Sequence, residues 1–238
     1  MLRTASQTLF AHVVAGPSAD IELDVAALLL GDWERDRTDV AHYTRLLDEW
    51  AARARELGDD ERGPIAALNH LLFHELGFRG NETDYYDRRN NFLADVIERR
   101  TGMPIALSVI YVEVARRMPL EVHGVGFPGH FLVRHDDGDG PHIIDPFRKG
   151  QKLEWQELER LLHLAVDRRV PLTWSLLQPT DKRQILVRML LNLVSTYSRE
   201  GDVHGCIEAL ERIRILDPDR PDIDGELARL YRHVQRTN

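Results

Sequence analysis

The stretch Gly126-Phe-Pro-Gly-His-Phe-Leu-Val-Arg134, followed by Ile143-Ile-Asp-Pro-Phe147, sets His130 at the head of one apolar segment and Asp145 at the end of the next. Two neighbouring strands can hold such side chains within hydrogen-bonding reach. A carboxylate that orients an imidazole in this way prepares it for proton transfer. Acyl transfer by the pair needs a third member, a nucleophile, and no cysteine lies near it. Ser108, on the apolar segment upstream, is the candidate stand-in. It would need His130 as base and an oxyanion hole. The competing reading of Ser108 is a buried hydroxyl bonded to its own i−4 carbonyl. A water activated by His130 is the other route to hydrolysis.

Around this pair, Phe127, Gly129 and Phe131 are candidate binding residues, since glycine and proline (Pro128, Pro146) bring backbone close and leave room beside the ring. Tyr86, Asn90 and Asn91 crowd one loop and helix start. They are candidates for a peptide groove, against the alternative that they serve as caps and turn residues. His70 and His74 stand at i, i+4, a spacing that can chelate zinc, but Glu75 does not complete a His-Glu-x-x-His motif and no clustered cysteine is available. No metal and no cofactor is expected. Cys206 occupies a small-residue position among helical apolar residues and reads as a packed core thiol.

The elements that must position these residues separate by periodicity. From about Asp20 to Leu76 the pattern is helical. Ile21, Val25, Leu28 and Leu29 form one stripe, and Val40, Tyr43, Leu46, Leu47, Trp50 and Ala54 form a second with Asp39 as N-cap. A third helix carries Ile65, Leu68, Leu71, Leu72 and Leu76, opens at Pro64 and leaves at Gly77. A polar and aromatic loop, Arg79–Asp87, then leads to a helix over about Asn90–Arg100. The helix Pro104–Met118 is apolar almost all round, which places it inside the protein. Strand character follows at Glu121–Phe127, His130–His135 and His142–Ile144, with Asp136–Gly140 turning the last two into a hairpin. After a connecting helix and a proline-punctuated linker, Leu193, Tyr197, Gly201, Cys206, Leu210 and Pro218 fall at the spacing of a 34-residue tetratricopeptide unit. Leu227, Ala228 and Tyr231 begin a partial second one.

Composition bounds the classes of function. The chain has 238 residues and a formal net charge of −8, which argues against sequence-independent binding to nucleic-acid phosphates. From Lys182 onward there are ten Lys/Arg against nine Asp/Glu, so all of the negative excess lies in the first 181 residues. Arginine pairs recur at Arg88-Arg89, Arg99-Arg100, Arg116-Arg117 and Arg168-Arg169; beside acidic neighbours they read as solvated helix faces. No apolar run reaches the roughly 18 residues of a membrane span, and the N-terminal residues do not read as a signal peptide. One cysteine excludes an intrachain disulfide framework. The cytoplasm is the expected location.

Several stretches, in one order, give the chain a specific likeness: Glu75-Leu-Gly-Phe-Arg-Gly-Asn81, Tyr85-Tyr-Asp87, Asn90-Asn-Phe-Leu93, Arg99-Arg-Thr-Gly-Met-Pro-Ile105, Glu113-Val-Ala-Arg-Arg117, Gly124–Arg134 and Ile144-Asp-Pro-Phe147. Over roughly Asp20 to its end the chain resembles the SirB-type transglutaminase-like family. The resemblance implies an α+β fold with a papain/transglutaminase-like core, a buried helix on a small antiparallel sheet. That core is flanked by a helical N-terminal region and tetratricopeptide-like C-terminal helices. The implied divisions are 1–77, the core 78–153, a connecting helix and linker 154–181, and 182–238. In active members of the wider superfamily a cysteine opens the buried helix, with a histidine and an aspartate on the strands that follow. His130 and Asp145 fall at the latter positions. The helix-opening position falls around Pro104 or Ile105, neither of which is a nucleophile.

Loss of the nucleophile from such a unit costs on the order of 10⁶ in turnover. The expected function is therefore a non-catalytic module that binds a protein or peptide partner, with no nucleic acid and no membrane. His130 and Asp145 would be vestigial members of its triad. The alternative is a hydrolase or acyl-transfer enzyme working through Ser108 or water.

Overall fold

Helix α6 (Pro104–Arg117) is the element around which the others assemble. Proline at its first position has a φ already suited to a helix, and Met103 before it is extended. Apolar residues on every face leave no side for solvent, and all but Val112, Arg116 and Arg117 are buried. A computed structural model describes residues 4–34, 38–58, 63–166 and 169–237. Arg168, of the fourth arginine pair, and Met1–Arg3, of the N-terminal segment, lie outside these.

Against α6 pack α2 (Leu23–Leu29) and α3 (Val40–Gly58), and α4 (Pro64–Asn69) packs on α3. Asp39 caps α3 as expected, its carboxylate accepting the His42 N–H at 3.0 Å. Helix α4 continues as a π-helical stretch, His70–Glu75, and the chain leaves through Gly77 at φ +73°. A short parallel pairing joins β1 (Arg79–Gly80) to β2 (Thr101–Gly102), on either side of α5 (Leu93–Arg99).

An antiparallel sheet also packs against α6, in the order β3 (Val122–Val125), β4 (Leu132–Asp137), β5 (Gly140–Asp145) and β6 (Gln151–Leu153). Strand alternation divides its side chains between two cores. Phe131, Val133 and Ile144 join the core around α6. Val125, Leu132, Ile143 and Leu153 form a second core with Leu158 and Leu162 of α7 (Trp155–Ala165). Both sheet faces are thus covered.

The chain closes with α8 (Lys182–Glu200), α9 (Val203–Leu216) and α10 (Pro221–Thr237). Ile185, Leu186, Met189 and Leu190 of α8 belong to the α6 core.

Three expectations about elements need correction, and two further elements appear. A helix α1 (Ala5–Val13) precedes the region read as helical, held by a reciprocal cap between Thr4 and Gln7. The helix expected from Asn90 begins at Leu93, because residues 88–90 form a 3₁₀ turn. Strand β4 starts two residues after His130. The hairpin turn is two residues, Gly138-Asp139, because Asp137 already pairs with Gly140. Strand β6 lies beyond the expected strands; three residues are too few to show alternation.

Candidate functional site

His130 sits at the end of a turn. Its N–H donates to the Phe127 carbonyl at 3.1 Å, and Gly129 takes φ +68° behind Pro128. Proline followed by a positive-φ glycine is what a type II turn requires. The turn delivers the imidazole to the end of β5, where Nε2 lies 2.9 Å from Asp145 Oδ2. Asp145 is fully buried and does two jobs. Its Oδ1 accepts the Phe147 N–H at 3.0 Å, capping a 3₁₀ turn over Pro146–Arg148, while Oδ2 holds the ring. Arg148 Nε stands 3.7 Å from the same oxygen. The Phe147 ring meets the imidazole edge-on, with centroids 6.0 Å apart. Among the described residues, Nδ1 of His130 has no hydrogen-bond partner.

The imidazole faces a pocket of about 130 Å³ walled by the opening of α6 (Met103, Pro104, Ile105), by Tyr85, and by Arg188 and Asn192 of α8. Among the described residues no serine, threonine or cysteine lines this pocket at the helix opening. Ser108 is buried deeper, its Oγ donating to the Phe131 carbonyl at 3.4 Å. That bond is neither the His130 contact needed of a nucleophile nor the i−4 bond of the ordinary helical serine.

Arg188 is the group that sequence reasoning missed. Its Nη2 donates to the carbonyls of Phe127 (2.8 Å) and His130, clamping the turn, and its guanidinium lies 5.4 Å from the Phe131 ring centroid. Burial pulls the Arg188 pKa down, opposed by Tyr85. Burial likewise raises the Tyr85 phenol. Arg188 and Asn192 share a face of α8 at i, i+4, a signal present in the sequence. What that face meets is settled by packing alone.

Several candidate binding residues lie elsewhere. Asn90 is buried and occupied by the loop, accepting from Asn81 Nδ2 (3.0 Å) and donating to the carbonyls of Asp84 (2.8 Å) and Tyr85 (3.1 Å). Asn91 is buried and turns back to the Arg88 carbonyl at 3.4 Å. Phe127 is a core residue of the outer sheet face. Phe131 and Gly129 do line the pocket, although the Phe131 ring is largely core. Tyr86 is 52% exposed and stacks under the Arg199 guanidinium at 4.0 Å, outside the pocket wall.

His70 and His74 stack with centroids 5.6 Å apart, and His70 Nε2 lies 3.6 Å from Glu75. Among the described residues no group of three His, Cys, Asp or Glu side chains could hold a metal ion. Among the described residues no helix is long and apolar enough to cross a membrane. Arginines of the described pairs are engaged internally: Arg89 and Arg99 with Asp87, Arg116 and Arg117 with Glu113, and Arg100 over Trp50.

Residues 41–191 match the model of the transglutaminase-like superfamily. The chain is similar to a UPF0162 protein of Xylella fastidiosa, 39% identical over 202 residues that make up 82% of this chain and 72% of the relative. A UPF0162 protein of Pseudomonas aeruginosa is 29% identical over 196 residues, again 82% and 72% of the two chains. F-box only protein 21 of Mus musculus is 34% identical over 181 residues, 71% of this chain but 28% of that much longer protein. No solved structure matches the chain.

Proposed function

The chain belongs to the transglutaminase-like superfamily, and from that premise we propose that it is a pseudo-enzyme whose His130 pocket binds a protein or peptide segment. One observation carries the reading. The imidazole–carboxylate couple is paired at 2.9 Å, and the helix opening on the same pocket is Pro104-Ile105. A thiol at a helix N-terminus beside an imidazole would be held as a reactive thiolate. Proline and isoleucine offer no attacking atom, and Ser108 is bonded away from the pocket.

The finer parts of the reading have separate support. The likeness to the SirB type rests on the ordered motifs. A tetratricopeptide-like tail is supported by α8 and α9: Leu193, Tyr197, Cys206 and Leu210 are buried, Gly201 ends α8 at φ +71°, and Gly205 lies against the Tyr197 ring, where an added Cβ would come within 2.4 Å. Such helices would offer a second contact face. A cytoplasmic location suits a chain whose cysteine is a buried free thiol.

The test has two halves. Incubation of the protein with amide, ester and glutamine acyl-donor substrates is expected to give no turnover above buffer, and Ser108→Ala is expected to change nothing. Turnover abolished by His130→Ala would overturn the reading. In the binding half, a folded His130→Ala/Asp145→Ala variant is expected to lose peptide ligands selected by the wild type. Undiminished binding would count equally against it.

A further inference from the structure

The pocket in front of His130 is lined by donors and by no acid, and we infer that it receives a carboxylate carried by a peptide, either a chain end or an acidic side chain. The inference rests on the binding role of this site proposed above and adds the chemistry of what is bound. In a chain of net charge −8, not one of the pocket's lining residues is Asp or Glu. The carboxylate that holds the imidazole, Asp145, lies on its Nε2 edge with Arg148 Nε 3.7 Å away to offset it.

Arg188 provides the charge. It makes no ion pair among the described residues, and its two protein hydrogen bonds go to neutral carbonyls. Its Nε and Nη1 have no protein acceptor there. A largely buried cation without a counter-charge is costly, and an anion entering the pocket removes that cost. Asn192, one turn along α8, spends its Nδ2 on the Met103 sulfur at 3.5 Å, a weak acceptor that a carboxylate oxygen readily displaces. The α6 opening adds to these two groups. Met103, at its N-cap, makes no side-chain capping bond and the first turn contains no acid, so the positive end of the helix favours negative charge in the pocket.

Size and charge select the anion. About 130 Å³ is well below the roughly 300 Å³ at which pockets for drug-sized ligands begin, and it suits one small group at the end of a chain or side chain. One fixed guanidinium matches a monoanion; a phosphate dianion would be left half-compensated.

The full-length protein, isotope-labelled and followed through the His130 and Arg188 side-chain resonances, tests this by titration with propionate, propionamide and inorganic phosphate. Three peptides follow: acetyl-Ala-Ala-Ala with a free carboxylate, acetyl-Ala-Glu-Ala-amide, and acetyl-Ala-Gln-Ala-amide. Propionate is expected to saturate both resonances at least tenfold more tightly than propionamide and more tightly than phosphate. Whichever acidic peptide binds better identifies the chain end or the side chain as the source. Arg188→Met is expected to weaken propionate at least tenfold. Because Arg188 also clamps the turn, Asn192→Asp serves as a second variant: it supplies an internal carboxylate and is expected to block propionate with the turn intact. Tighter binding of phosphate or propionamide, or Asn192→Asp binding propionate within twofold of the wild type, overturns the inference. If the glutamine peptide binds at His130 as well as the acidic ones, the carboxylate assignment falls and the binding role stands. If nothing perturbs His130, both fall.

Discussion

Asp145 has to satisfy two donors at once, the His130 ring and the Phe147 N–H, from a position with no solvent access. Such a carboxylate is structural whether or not the imidazole does chemistry. Asp145→Ala leaves both donors without their acceptor, so it is expected to cost about 1–3 kcal/mol in urea denaturation. His130→Gln, at a residue with some solvent access, is expected to cost less. Asp87 ties down the loop that carries Tyr85. Burial opposes its ionisation, but Arg89 and Arg99 outweigh burial and hold the carboxyl below its ordinary range. A depressed carboxylate pKa stabilises the fold above the unfolded value, near 3.9, and the contribution disappears as pH falls through the folded value. The stability advantage of wild type over Asp87→Asn should therefore be full at neutral pH and shrink below about pH 4, as followed by denaturant midpoints across that range.

Helix α6 gives the site its character through its first turn. Pro104 starts the helix and lines the pocket with His130. A cysteine installed there meets the conditions that activate a thiol: the positive end of the helix and a nearby imidazole. Pro104→Cys is expected to alkylate with iodoacetamide at a pH well below the ordinary thiol range of about 8.5, and Pro104→Cys/His130→Ala to lose much of that shift. Equal alkylation profiles for the two would show that the helix opening is not the lost nucleophile position. Much at this scale was readable in advance. Asp39, Pro64 and Gly77 mark helix ends by capping and turn chemistry, and Pro128-Gly129 encodes the turn under His130. The helix α1 cap, Thr4-x-x-Gln7, was equally readable. The boundary near Asn90 was not. Its side chain reaches three partners across a loop, and nothing local distinguishes that from an ordinary helix start.

Across the whole molecule, two arginines, Arg212 buried and Arg117 largely so, join distant parts of the chain. Arg117, at the end of α6, meets Asp24 of α2, Glu113 and Asp48 of α3. Asp24 and Glu113 are both almost completely buried. Arg117→Leu strands Asp24 and leaves Glu113 to Arg116 alone, and a loss of about 3 kcal/mol or more is expected. Arg212 lies over Trp33, bonds Ser6 of α1 at 2.8 Å and pairs with Glu208 at 2.7 Å. Glu208 is partly exposed and can return to water, so Arg212→Leu should cost less than Arg117→Leu. Reversal of that order in thermal or urea unfolding would show that the carboxylates' burial does not govern the cost.

Residue type and spacing were enough to place a buried helix ahead of a histidine and an aspartate on adjoining segments, and to show that no thiol accompanied them. These features follow from neighbours in the chain: turn chemistry, caps and the periods of helix and strand. The α8 guanidinium that completes the pocket, the sealing of Ser108 against the Phe131 carbonyl and the commitment of Asn90 and Asn91 to a loop could not be read that way. Each depends on which surfaces meet across dozens of intervening residues. Burial there is won by the sum of many contacts, and no single segment encodes that sum.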